Sequence, residues 1–387
     1  MDQRTIRILF SLLRSAICGT RLSEEGVREY SPELLDGLLK MAKKHDVAHL
    51  LALGLKQNGL LSKDNSNVEN HIFKALYRYE QIRYEHENLC DALEKAEIAF
   101  IPLKGSIIRE YYPEPWMRTS CDIDVLVHQK DLNRAVAYLT ENLQYTLHGR
   151  ATHDVSLFTP MGVHVELHFD LVEEGRANDA IEVLSAVWEN VSLLDNKKYW
   201  YVMSDAYFYF YHIAHMAKHF ESGGCGIRPF IDLWILDHME NVDQSSRDAL
   251  LISGGLGKFT TVCRELSEVW LEAKEPNQLS IQMEDFLLNG GAYGSAYNRV
   301  ALKQTKKGGR FGYILSRIFI PYAKLKRYYP ILDKHPWLMP IMQIRRWFML
   351  LNPEVASMVK REMSVNKSLN KSEANEMNEF LDVVGLN

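Results

Sequence analysis

The chain has 387 residues, 47% of them hydrophobic and 25% charged, which excludes whole-chain disorder, a collagen-like fibre and a small disulfide scaffold. Its 50 Asp and Glu outnumber 45 Lys and Arg, giving a formal charge of −5, so a globally basic nucleic-acid binder is not favoured. The five cysteines are odd in number, far apart and contain no Cys-x-x-Cys pair, which argues against a disulfide framework and for a reducing, cytoplasmic setting.

Residues 1–95 read as an N-terminal helical region. Ile6, Leu9, Leu12, Leu13 and Ile17 recur at helical spacing, and Arg7 and Arg14 bracket the short apolar run between them. That pattern predicts an amphipathic helix and not a secretion signal. No stretch approaches the ~18 apolar residues of a membrane span. Ser31 and Pro32 mark a helix start, as N-cap and first helical residue. Apolar residues at three- and four-residue spacing follow from Leu34 to Leu55. Residues 61–70 read as a loop and 72–94 as a long helix.

The texture changes over residues 96–172, which read as a compact α/β unit. Strands are predicted at 98–103, 122–127, 155–158 and 163–169, the last two joined by the turn Pro160-Met161-Gly162. Helices are predicted from Ile107 and over 132–143. Residues 173–360 read as a C-terminal helical domain, broken at 222–226, and residues 361–387 as a polar tail that frays. The expected fold class is thus α+β, a small mixed sheet flanked by helical regions on both sides.

The chemistry concentrates in Lys104-Gly105-Ser106 and in Asp122-Ile123-Asp124. Residues two apart on a strand project from one face, so Asp122 and Asp124 present adjacent carboxylates. Two like charges held that close call for a cation. Hard divalent ions take oxygen ligands, and Mg²⁺ commonly adds substrate phosphates, which makes the pair a metal platform for a nucleoside triphosphate. Gly105 at a strand-to-helix junction lets backbone approach a phosphate, the Ser106 hydroxyl adds a hydrogen bond, and Lys104 and Arg118 are candidate countercharges. His164, Glu166 and His168 share one face of their strand. If that strand lies beside 122–127, Glu166 becomes a third carboxylate, able to ligate a metal or accept a proton.

Lys-Gly-Ser, then Asp-x-Asp on a strand, then a later strand carboxylate resembles the DNA polymerase β-like nucleotidyltransferase superfamily. The Leu103-Lys104-Gly105 start, Arg118, the 122–127 strand and Val165-Glu166-Leu167-His168 are most similar to its uncharacterised bacterial nucleotidyltransferase family. His212-x-x-His215, residues 226–232 and the Tyr-Pro and Arg-Arg-Trp stretch near 329–347 extend the likeness loosely. The resemblance implies transfer of a nucleoside monophosphate from an NTP, ATP foremost, to an unidentified hydroxyl or phosphate acceptor, with release of pyrophosphate. It implies Asp122, Asp124 and Glu166 as catalytic metal-binding acids with two Mg²⁺ ions, or Mn²⁺. Gly105 and Ser106 match the triphosphate turn. Lys104, Arg118, His212, His215, Arg228 and Asp232 join them as candidate nucleotide or acceptor contacts. One position departs: the family usually has Gly before the first Asp, and here it is Cys121.

Several of these residues also admit plainer readings. Ser106 can be a helix N-cap, Lys104 a solvated lysine, and Arg118 the partner of Glu114 or Asp122. Arg228 and Asp232, one helical turn apart, can pair with each other. His164 and His168 can serve the carboxylates between them instead of a zinc ion. Residues 303–350 hold eleven Lys or Arg against Asp333 alone. They fit a solvated helical face, an anionic-membrane or polymer contact, or a nucleic-acid patch. Cys121 and the helical appendages leave room for a non-catalytic nucleotide-binding scaffold or sensor on the same fold. A protein-adenylylating regulator would share the chemistry and differ in acceptor.

Overall fold

The computed structural model describes residues 2–61, 66–151, 153–172, 179–292 and 294–386. They group into two compact units, one of residues 1–216 with 226–288, the other of residues 217–225 with 289–387.

In the first unit, the helix Gln3–Cys18 is capped by the Asp2 carboxylate and closed by Gly19 in the left-handed region. Its apolar stripe is buried, Leu9, Leu12 and Leu13 completely. The helix Ala48–Gln57 packs on it so closely that a Cβ at Gly54 would stand 2.2 Å from the Leu12 carbonyl oxygen. Ser31 precedes a 3-10 turn, Pro32–Leu34, without a side-chain cap, and the α-helix proper is Leu35–Lys44. The long helix is Ser66–Lys95, so it begins inside the segment expected to be loop; residues 62–65 of that segment lie outside the described residues.

The sheet has five strands: β1 (Phe100–Pro102), β2 (Asp122–Val127), β3 (Thr146–Arg150), β4 (Asp154–Phe158) and β5 (His164–His168), in the order β1-β2-β5-β4-β3. Within this sheet the β2–β5 pair is parallel and the β1–β2, β5–β4 and β4–β3 pairs are antiparallel. Alternation sorts the side chains. Ile123, Val125 and Val127 of β2 and Val165 and Leu167 of β5 enter a core shared with Leu89 and Leu93 of the long helix and Leu139 of the helix Leu132–Asn142. The opposite face is left with Asp122, Asp124, His164, Glu166 and His168. The α+β class with a mixed sheet and helical flanks is what the sequence predicts.

Three local expectations are corrected. The helix after Gly105 is one turn, Gly105–Ile108, followed by 3-10 turns. The region after residue 175 is not continuously helical. A hairpin, β6 (Val191–Leu193) and β7 (Tyr201–Met203), turns through Asn196 at φ 61°, and Phe100 donates its N–H to the Tyr199 carbonyl, tying the hairpin to the sheet edge. The tail does not fray. Lys371–Val384 is a helix begun by a reciprocal Asn370–Glu373 capping box, with Leu381 and Val384 fully buried.

The second unit is helical among its described residues. Ala296–Lys306 and Gly309–Ile318 bury Val300, Ala301 and Tyr313 with Leu369. A further cluster of Ile320, Leu325, Leu332 and Met342 organises residues 320–342. No helix among the described residues is long and apolar enough to cross a membrane.

Candidate active site

The parallel register of β2 and β5 sets Asp122 opposite His164 and Asp124 opposite Glu166. All four side chains and His168 therefore meet on one face. One donor atom each from Asp122, His164 and Glu166 fall within 4.8 Å of one another, and so do donors from Asp124, Glu166 and His168. Glu166 is common to both groups. Strand pairing, which no spacing in the sequence shows, brings the third acid to the pair.

Two cations already lean on these acids. Lys104 Nζ is 3.6 Å from Asp124 Oδ2. His168 Nε2 is 3.1 Å from Asp124 Oδ1 and 3.4 Å from Glu166 Oε2. Burial works against a charged His168, but its bonds to Asp124 and Glu166 push its pKa up to about 9. Burial alone would raise Asp124; Lys104 and His168 overcome it and hold that carboxyl well below the usual range. Asp122 goes the other way. Burial, together with the Asp124 and Glu166 charges, raises it in spite of Lys104 and Arg228. A carboxyl kept from ionising easily by burial and, after that, by its acidic neighbours is one that a bound divalent ion would stabilise as the anion. His164 has its Nε2 within 2.6 Å of Ser156 Oγ, while Nδ1 lies 3.9 Å from Glu166 Oε1. The donor set fits a hard, oxygen-preferring ion, and the two imidazoles extend the fit to Mn²⁺. His168 is bonded to Asp124 and Glu166 and His164 to Ser156, and each histidine also belongs to one of the groups that could hold a metal ion.

Lys104 is delivered by an unusual backbone. Its φ of 40° with ψ −107° is a conformation that costs an L-residue on the order of 1–3 kcal/mol. That residue, not Ser106, occupies the cap position of the one-turn helix, so the N-cap reading of Ser106 is corrected. The N–H groups of Ser106, Ile107 and Ile108 already bond to the Leu103 and Lys104 carbonyls, so the turn offers less free backbone than a long helix would. Gly105 is required for another reason: a Cβ there would stand 2.9 Å from Arg118 Nη1.

Arg118 does not pair with Glu114 or Asp122. Its Nε and Nη2 reach the two oxygens of Asp232 at 3.3 and 3.0 Å, and Tyr112 donates its hydroxyl to the same carboxylate at 2.6 Å. Nor does Asp232 pair with Arg228. Asp232 lies on the buried face of the helix Arg228–Asp237, 1% exposed, whereas Arg228 reaches out to Asp46 at 2.6 Å and to the Thr119 carbonyl at 3.0 Å. Asp46 and Tyr112, which no local pattern singles out, are thus parts of the site's frame. Arg109, donating to Ser120 Oγ, and Arg78, donating to the Cys121 carbonyl, complete a set of guanidinium contacts on the loop that enters β2. Cys121 is exposed and is absent from the left-handed backbone positions, so it fits its turn without the strain that would favour Gly.

The helix Asp205–Glu221 carries His212 and His215. His212 Nε2 donates to the Pro229 carbonyl at 3.0 Å, and burial lowers its pKa; Asp232 and Arg118 are among the charges acting on it. The His215 ring lies tilted beside Tyr211, 6.5 Å between ring centres. Neither is among the residues grouped around the acids.

A mixed sheet with two acids on one strand, a third on its parallel neighbour and a Gly-Ser turn at the strand end is a nucleotidyltransferase-type core. The family model described as an uncharacterised nucleotidyltransferase matches residues 31–272, and the chain belongs to that family. No curated protein and no solved structure matches the chain.

Proposed function

We propose that the chain is a metal-dependent nucleotidyltransferase that moves a nucleoside monophosphate from an NTP, with ATP the first donor to test, to a hydroxyl or phosphate acceptor. The observation that carries this reading is the convergence of Asp122, Asp124 and Glu166 from two parallel strands, beside Lys104 and the Gly105-Ser106 turn. Asp122, Asp124 and Glu166 would hold divalent ions, Mg²⁺ or Mn²⁺, which when bound supply Lewis-acid polarisation of the phosphates.

The protein's own groups do the rest. The Gly105-Ser106 turn and the Lys104 ammonium bind the triphosphate. The attacking acceptor oxygen forms its bond to the α-phosphorus as the bond to the β-phosphate bridging oxygen breaks, and pyrophosphate leaves. Where the acceptor is a hydroxyl, its proton passes to Glu166, the acid that also serves as a ligand candidate. Arg228 adds positive field at Asp122 and is the cation we assign to sugar or acceptor contact. Arg118 and Asp232, bonded to each other beside Gly105, act by positioning that turn, and His212, bonded to the Pro229 carbonyl, is assigned to the same positioning role. His215 is assigned to the acceptor side.

Incubation with radiolabelled NTPs, Mg²⁺ and a cell lysate tests this. Label transfer with pyrophosphate release is expected. Label on a protein band selects a protein-adenylylating enzyme, and label on a small molecule selects an antibiotic- or sugar-type acceptor. Metal-dependent NTP binding with no transfer to any acceptor would select the nucleotide-sensing scaffold. The unstrained Cys121 turn removes one argument for that alternative.

A further inference from the structure

The second unit carries a surface that the nucleotidyltransferase reading does not use. Fourteen of the 26 exposed large hydrophobic residues among the described residues fall between positions 311 and 358. They are not scattered. Phe311, Leu315 and Ile318 line the solvent side of the helix Gly309–Ile318, and Ile341, Ile344 and Phe348 line that of Met339–Trp347 and its end. The two stripes are joined where Trp347 Nε1 and Arg346 Nη2 donate to the Ile318 carbonyl and the Phe319 and Trp347 rings meet edge to face. Behind the junction lies an apolar groove of about 620 Å³ that includes Ile314, Trp347, Leu350, Met358 and Met363. Exposed apolar area on this scale marks an interaction site.

Charge says what kind. Residues 303–350 hold eleven Lys or Arg and one acid, a formal +10, which leaves the rest of the chain at −15. Arg317 pairs with Glu362 and Lys326 with Asp333, while Lys306, Lys307, Lys324, Lys334 and Arg345 are exposed residues of the same segment. Trp337 is 71% exposed and Phe348 64%. Exposed aromatic and branched apolar side chains interspersed along the segment with exposed cations are the composition of a surface that lies in a membrane interface. No described helix can cross a bilayer, so the contact is peripheral.

We propose that this face docks the protein on an anionic lipid bilayer, with Trp337, Phe348 and Leu351 entering the headgroup region and the exposed cations of the segment neutralising lipid phosphates. A nucleic acid would match the charge but not the aliphatic stripes.

The test is co-sedimentation of the full chain with vesicles of phosphatidylglycerol and phosphatidylcholine, against pure phosphatidylcholine. Binding to the anionic vesicles is expected to exceed that to neutral ones by at least about tenfold in low salt and to weaken as salt is raised. A Trp337→Ala/Phe348→Ala pair should lower it at least about fivefold, and a Lys306→Glu/Lys307→Glu pair should lower it on its own. All four positions are exposed, and the circular dichroism melt of each variant checks that the fold is kept. Equal distribution of the wild type between anionic and neutral vesicles would overturn the proposal. So would a dimer that Phe348→Ala dissociates while vesicle binding is absent.

Discussion

The Arg118–Asp232 pair gives the sharpest energetic expectation. The two side chains are 10% and 1% exposed, so solvent screens their interaction little. Asp232 accepts from Arg118 Nε and Nη2 and from the Tyr112 hydroxyl, all buried or nearly so. Asp232→Ala would leave a guanidinium without its counter-ion and a phenol without its acceptor. Removing one partner of a buried pair costs about 3–5 kcal/mol, and urea unfolding should show a loss in that range. A second substitution, Arg118→Met, should restore part of it, because the stranded charge is removed. The pH dependence has a definite sign. Burial raises the Asp232 carboxyl, but Arg118 outweighs it and holds the folded value below the unfolded one. Its contribution is complete above the unfolded pKa of ~4 and is lost as pH falls through the lower folded value, so the gap between wild type and Asp232→Ala should close in acid. A loss below about 1 kcal/mol at pH 7, or a gap independent of pH, would refute the pair's structural role and return both residues to direct nucleotide contact.

Three further outcomes follow from the site. Gly105→Ala should cost about 1–3 kcal/mol in thermal or urea unfolding, because the Arg118 guanidinium 2.9 Å away is anchored and cannot swing clear; an unchanged melting temperature would count against it. Cys121→Gly should destabilise by about 0.5–1 kcal/mol through backbone entropy and leave nucleotide affinity unchanged, whereas a clear gain in affinity would show that the turn wants glycine. His168, pushed up to about 9, should titrate there by NMR without metal. Since its folded value lies above the ordinary 6.5, its contribution, on the order of 3 kcal/mol, is complete below pH ~6.5 and fades as pH rises through about 9. A His168 that titrates near 6.5 would mean that the Asp124 and Glu166 contacts are not maintained in solution.

The strands at 122–127 and 164–168 were legible because each alternates a polar row with Val, Ile or Leu, and the period of two alone puts Asp122 with Asp124 and Glu166 with its histidines. Their pairing enters the sequence reading only as a condition; the register that sets Asp124 against Glu166 is a tertiary fact. Local spacing offers Arg118, Asp232 and Arg228 i,i+4 partners, while the actual bonds span 114 and 182 residues and have no local signal. β3 leaves no mark in the sequence, since Thr146–Arg150 is a mostly exposed edge strand with a bulge at 147–149 and no apolar alternation. The tail reads as fraying because its few apolar residues, Ala374, Leu381 and Val384, are diluted among polar ones, yet they fall on one face.

Isothermal titration of ATP in the presence of Mg²⁺, and separately of Mn²⁺, into the wild type and into an Asp122→Asn/Asp124→Asn double variant addresses the metal platform itself. The wild type is expected to bind the nucleotide only with the divalent ion present, and the double variant to lose at least about tenfold in affinity. Equal affinity of the two proteins for the metal–nucleotide complex would contradict the assignment of these acids.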